Sequence, residues 1–243
     1  SAQTAPSPEE IQNYQGLHAA AATGNVTAIQ SLVKAGAKLN TPDSFGRTAL
    51  MIATHRNHLS VGKALIKAGA DLNALDSERY DVITIAAVAN NLTMMKLAIS
   101  SGGNTKRMTS PYDGTALIAA AHLGHVEIVR ELIRTGAPLD HINNLKWTAL
   151  IEAIVLGDGG PNHQRIVQDL IAANSAVSPD KLAEDGWHRL GSMVGRRWRS
   201  FPRMAGRPCP GTDIRISAVS SCMTVRYRYL SIRVAALTPI PDT

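Results

Sequence analysis

Lys67-Ala-Gly-Ala-Asp-Leu-Asn73 is preceded by Lys34-Ala-Gly-Ala-Lys-Leu-Asn40 and followed by Ser100-Ser-Gly-Gly-Asn-Thr-Lys106 and Arg134-Thr-Gly-Ala-Pro-Leu-Asp140. These stretches place Gly36, Gly69, Gly102 and Gly136 at spacings of 33, 33 and 34 residues. A second series runs in the same register: Thr48-Ala-Leu-Met-Ile-Ala53, Asp81-Val-Ile-Thr-Ile-Ala86, Thr115-Ala-Leu-Ile-Ala-Ala120 and Thr148-Ala-Leu-Ile-Glu-Ala153. A fixed period of this length is the mark of a repeat array, in which each unit buries its apolar side against the next.

One unit can be read from its residues. Thr48, Thr115 and Thr148 each offer a hydroxyl to the free amides that open a helix, and Leu50, Leu117 and Leu150 follow on its inner face. That helix is expected to stop at Gly24, Asn57, Asn90, Gly124 and Gly157, the two residue types that best tolerate a left-handed backbone. A second helix follows, with apolar pairs such as Leu32/Val33, Met94/Met95 and Ile128/Val129 at helical spacing. It ends at the glycine of the first series, and a polar stretch returns to the next threonine. Such short helices are marginal alone, so stacking must stabilise them.

With these motifs the chain resembles the ankyrin repeat family over residues 11–178, in five units: 11–42, 43–75, 76–108, 109–142 and 143–178. The resemblance implies an all-α solenoid of β-turns and paired antiparallel helices. Several positions depart from the family pattern. Ala49, Ala116 and Ala149 stand where proline is usual, Met51, Ile118 and Ile151 replace the usual histidine, and the third unit opens on Asp81. In the fifth unit, Gly157 to Ile166 spans nine residues where Gly124 to Ile128 spans four, which places a surface insertion at Asp158-Gly-Gly-Pro-Asn162.

The flanks read differently. Residues 1–10 are polar and contain two prolines, which predicts a flexible leader of the kind left after signal-peptide removal, and hence an exported, periplasmic protein. The net charge of +6 belongs to the other end: residues 1–188 carry a net −2, whereas 189–243 hold ten Arg and two Asp. Cys209 and Cys222 also lie there, so no disulfide or cysteine metal site holds the repeats together. Residues 179–243 are read as an Arg-rich tail. Asp185-Gly-Trp187 opens like a sixth unit, but His188-Arg-Leu-Gly-Ser-Met breaks the pattern. Read one base later with plausible codons, that stretch can give Thr-Ala-Leu-Ala-Ala-Trp, which points to a frameshifted repeat. A β-hairpin cap over Ile214–Val219 and Thr224–Val234, and an arm binding nucleic acid or an anionic membrane surface, are the other two readings.

Little chemistry is encoded. No nucleophile with a base, pair of inward carboxylates or phosphate loop is legible, so neither an enzyme nor a cofactor is expected, and no apolar run is long enough to span a membrane. His55/His58 and His122/His125 sit one helical turn apart, but no acid or cysteine completes a zinc site nearby. In the family, histidines at the positions of His58 and His125 tie adjacent repeats. The resemblance therefore implies a monomeric protein-binding module, with an unidentified protein partner held on the concave face. Carried over, the contact positions are Ser44, Phe45, Arg47, Glu78, Tyr80, Tyr112, Leu145 and Trp147 at the turn tips, with His55, Arg56, Val88, Ala89, His122, Leu123, Val155 and Leu156 on the first helices. Aromatic and aliphatic side chains in such places are what interface anchors look like.

Overall fold

A computed structural model of the chain describes residues 5–177, all of whose regular elements are helices. A short helix α1 (Pro8–Asn13) precedes five pairs: α2 (Gly16–Ala22) with α3 (Val26–Lys34), α4 (Ala49–His55) with α5 (Leu59–Lys67), α6 (Val82–Val88) with α7 (Leu92–Ser100), α8 (Ala116–Leu123) with α9 (Val126–Arg134), and α10 (Ala149–Val155) with α11 (Pro161–Val177). One pair falls in each of the five expected units. First helices pack on first helices and second on second along the chain, giving an ankyrin-type helical stack. Residues 178–243, with the readings of a frameshift, a hairpin and a basic arm, lie outside the described residues. Among the described residues, no helix is long and apolar enough to cross a membrane.

The first helices start as the threonines predict. Thr48, Thr115 and Thr148 accept from the amides of Met51, Ile118 and Ile151 at 3.3–3.4 Å. Asp81 does the same more closely, accepting from the Thr84 amide at 2.8 Å, so the third unit keeps its cap despite the changed residue. Ala53, Ala86, Ala120 and Ala153, one in each of units 2 to 5, are at most 2% exposed. Their small side chains let successive first helices approach, while Leu50, Ile83 and Leu117 fill the layer between.

Two expectations from the sequence change. The turn after the first helix is left-handed at Gly24, Asn57, Asn90 and Gly124, with φ of 71°, 58°, 52° and 76°, but in the fifth unit it moves to Gly159, φ 70°. Gly157 serves a different need: a Cβ there would lie 2.2 Å from the Ala153 carbonyl oxygen and 2.7 Å from the His163 ring. The expected leader is also shorter than residues 1–10. Ser7 caps α1, Pro8 takes the first helical position where its missing N–H costs nothing, and Glu10 reaches back to the Ser7 amide at 2.6 Å.

Candidate partner-binding face

The tips are built alike. Asp43, Asp76 and Asn143 each use one side-chain oxygen to accept two amides of their own turn, those of Phe45 and Arg47, Glu78 and Tyr80, and Leu145 and Trp147, at 2.8–3.0 Å. Ser110 does so in the fourth unit for Tyr112 and Gly114. Short polar side chains of this kind favour turns because they satisfy backbone donors locally. The residue two after the Asx or Ser is pushed outward, and the residue four after it closes the turn and points inward.

This geometry sorts the expected contact residues. Phe45, Tyr112 and Leu145, in the outward position, are 49%, 43% and 54% exposed, and Glu78 is half-buried. The closing position was expected on the surface and is not: Arg47 is 2% exposed, Tyr80 is 6% exposed and Trp147 is half-buried. On the first helices Arg56, Ala89, Leu123 and Leu156 are exposed, with Leu123 and Leu156 at 42% and 45%, whereas His55, Val88 and Val155 are half-buried and His122 is exposed. The outward set is therefore mixed in units 2 and 3, with Phe45, Arg56, Glu78 and Ala89, and apolar in units 4 and 5, with Tyr112, Leu123, Leu145 and Leu156, beside the exposed His122.

Arg47 has a structural task instead. Its guanidinium pairs with Glu10 at 2.6 Å and Asp43 at 2.8 Å and donates to the Tyr14 hydroxyl at 2.9 Å. Tyr14 in turn donates to Asp43 at 2.7 Å. Burial would raise the Asp43 and Glu10 carboxyls, but hydrogen bonds from Tyr14, Arg47 and the turn amides to Asp43, and from Ser7 and Arg47 to Glu10, outweigh it and hold both below their ordinary range. The network pins α1 against the first tip. Nothing in residues 5–14 announced this in the sequence, because Glu10 and Tyr14 find Arg47 only across the stack.

The histidines likewise serve the stack. A ring nitrogen of His58 lies 3.2 Å from the Ala22 carbonyl oxygen, and one of His125 lies 2.9 Å from that of Ala87, each tying a unit to the one before. In the third unit Asn91 donates to the Asn57 side chain at 2.8 Å instead. The fifth unit uses His163, which the sequence reading missed; counting three residues back from Ile166, as His125 stands to Ile128, would have found it. His122 pairs with Glu152 at 3.3 Å, and Asn143 donates to the same carboxylate at 2.7 Å. His55 occupies the same place in its unit but faces the position of Ile85, and its Nε2 is buried with no partner. Among the described residues no group of histidine, cysteine and acidic side chains is arranged to hold a metal.

The comparisons with known proteins agree with this architecture. The family model for ankyrin repeats (3 copies) matches residues 5–76 and 83–181, more than half of the chain. The chain is 44% identical over 61 residues to the ankyrin repeat protein YahD of Escherichia coli (strain K12), a match covering 25% of this chain and 30% of that protein. It thus spans about a third of the length of that relative. The crystal structure of an ankyrin repeat domain from Acinetobacter baumannii AYE is 42% identical, with a TM-score of 0.62 over 65% of this chain and 80% of that one. Ankyrin repeats are generally protein–protein interaction modules without catalytic activity of their own. With its capped helix pairs, tip turns and family match in one register, the chain belongs to the ankyrin repeat family.

Proposed function

We propose that this protein binds a protein partner on the face formed by its tips and the outward side of its first helices, with the strongest contacts in units 4 and 5. One observation carries the reading: Tyr112, Leu123, Leu145 and Leu156, each 42–54% exposed, stand on this face outside the buried core of the stack. Large apolar side chains gathered on one surface are typical of interface anchors, and removing an anchor costs about 2 kcal/mol or more of binding. Because the turns are closed by their own hydrogen bonds, the face is preformed and little order must be gained on binding.

The test is affinity capture with the full chain beside a Tyr112→Ser/Leu145→Ser variant, bound proteins being identified by mass and retained binding measured at two salt concentrations. A partner held by the native chain, lost by the variant and insensitive to salt supports the reading. Equal capture by both proteins ends it. Capture that survives the substitutions and collapses with salt favours the electrostatic alternative through the Arg-rich segment.

A further inference from the structure

Neighbouring units are joined by backbone donors at two levels. At the tips, the Ser77 amide donates to the Phe45 carbonyl at 2.9 Å between units 2 and 3, and the Asn144 amide donates to the Tyr112 carbonyl at 2.9 Å between units 4 and 5. At the opposite end, after the second helices, the Asp71 amide donates to the Asn40 side chain at 2.9 Å between units 1 and 2, and the Asn104 amide donates to the Asn73 side chain at 3.1 Å between units 2 and 3.

Between units 3 and 4 both levels fail, for reasons written in the sequence. The tip donor's place, held by Ser77 and Asn144, is taken by Pro111, which has no N–H. The lower donor's place, held by Asp71 and Asn104, is taken by Pro138, and the acceptor's place, held by Asn40 and Asn73, is taken by Lys106, whose ammonium accepts nothing. The second helices also pack more sparsely here, α7 on α9, than at the other joints. The contacts that cross include the apolar packing of α6 on α8 and side-chain links: Thr84 to Thr109 at 2.5 Å, His125 to Ala87, Thr105 to the Thr135 carbonyl at 3.3 Å, Arg79 to Asp113 at 3.2 Å and Lys96 to Glu131 at 4.0 Å. The last two are exposed on at least one side, where an ion pair holds little.

We infer that the array is made of two cooperative blocks, residues 5–108 and 109–177, and that the joint between units 3 and 4 is where it opens. In a linear array each unit is held only by its neighbours, so a weakened joint becomes the boundary between separately opening segments. The second block opens first, because it holds two repeat units against three and so has fewer joints to stabilise it. The exposed apolar residues Tyr112, Leu123, Leu145 and Leu156 all ride on the second block, so bending at this joint re-aims them relative to Phe45. The inference stands on the joint alone and holds whether or not that face binds a partner.

Hydrogen exchange read by mass spectrometry on the full chain, in mild denaturant, tests it. Peptides from α8–α11 are expected to exchange together and about tenfold faster than those from α4–α7, with the step between α7 and α8. Pro111→Ser combined with Lys106→Asn and Pro138→Asp restores the missing donors and acceptor, and is expected to shrink the step below about threefold. Ser77→Pro added to that triple variant removes the tip donor one joint earlier and is expected to move the step between α5 and α6. A native chain that exchanges α6–α9 at one rate, or whose step lies elsewhere, overturns the inference whether or not either variant folds. So does a step unmoved by folded forms of both variants.

Discussion

His163 and His122 meet across the last joint of the stack, with a ring nitrogen of His163 3.0 Å from the His122 carbonyl oxygen. The bond is the one His58 and His125 make to the units before them, kept although the insertion displaces the histidine from the place Gly157 would mark. Asp158 orients the ring, its carboxylate 2.7 Å from the other nitrogen. The ring also fills the space beside Gly124 and Gly157, where a Cβ would come within 3.0 Å and 2.7 Å of it.

Replacing His163 with Ala is therefore expected to destabilise the fold by about 2–3 kcal/mol, through the lost bond and the cavity together. Gly157→Ala is expected to cost at least as much, since its methyl would meet the Ala153 carbonyl at 2.2 Å. Gly36→Ala serves as a contrast: a Cβ there touches nothing, so only its left-handed backbone, φ 80°, is strained, at about 1 kcal/mol. Urea denaturation of the three variants checks the order.

How far the sequence could be read follows from the same residues. The period, the threonine caps and the tying role of His58 and His125 were legible because each repeats, and repetition separates a structural demand from chance. His163 escaped because an insertion shifted it out of register. Arg47 and Tyr80 were placed on the surface because position in the turn was read without its closing bonds, and those bonds turn the fourth residue inward. Glu10 was lost to an expected leader, and Tyr14 had no role in the first unit, because their partner lies more than thirty residues away. Single, non-repeating contacts leave no periodic trace.

Arg47→Met is expected to destabilise the protein by about 3 kcal/mol at neutral pH, because it leaves Asp43 and Glu10 without their cation in a partly buried site. Lysine should restore only part of this, lacking the planar fork that reaches both carboxylates and Tyr14. The carboxyls of Asp43 and Glu10 are held low in the fold, so their stabilisation is present above the ordinary carboxyl range and is lost as pH falls through the lowered values. The gap between native and Met proteins should accordingly narrow on acidification below about pH 4. Denaturation midpoints across pH 3–7 read it; a constant gap would show that Arg47 acts by packing alone.

His55 gives a separate pH window. Burial first, and the charge of Arg47 second, push its pKa from 6.5 down to about 4. At and above pH 6.5 the neutral ring fits the fold; below that, the unfolded chain takes up a proton that the fold refuses until about pH 4. Stability is thus expected to fall by roughly 2–3 kcal/mol between these values. His55→Val introduces the residue found in this register at Val88 and Val155, removes the unpartnered Nε2 and should abolish that fall. At neutral pH the variant is expected to gain about 1 kcal/mol. An unchanged slope between pH 6.5 and 4 in the variant would assign the loss to another group.

Leu123 and Leu156 separate stacking from binding most cleanly, being neighbours in register on exposed helix ends. Serine at either position gives up about half of a leucine's burial but leaves the stacking core intact, so stability should fall by about 1 kcal/mol. If they anchor the partner, the double variant should weaken its binding at least about thirtyfold, since even one lost anchor of about 2 kcal/mol amounts to that at 1.4 kcal/mol per tenfold. Titration against the captured partner, beside a denaturation curve of the same protein, gives both numbers. A stable variant that binds as the native chain does would move the contact surface towards Arg56 and Glu78 on units 2 and 3, whose charges should make the affinity depend on salt.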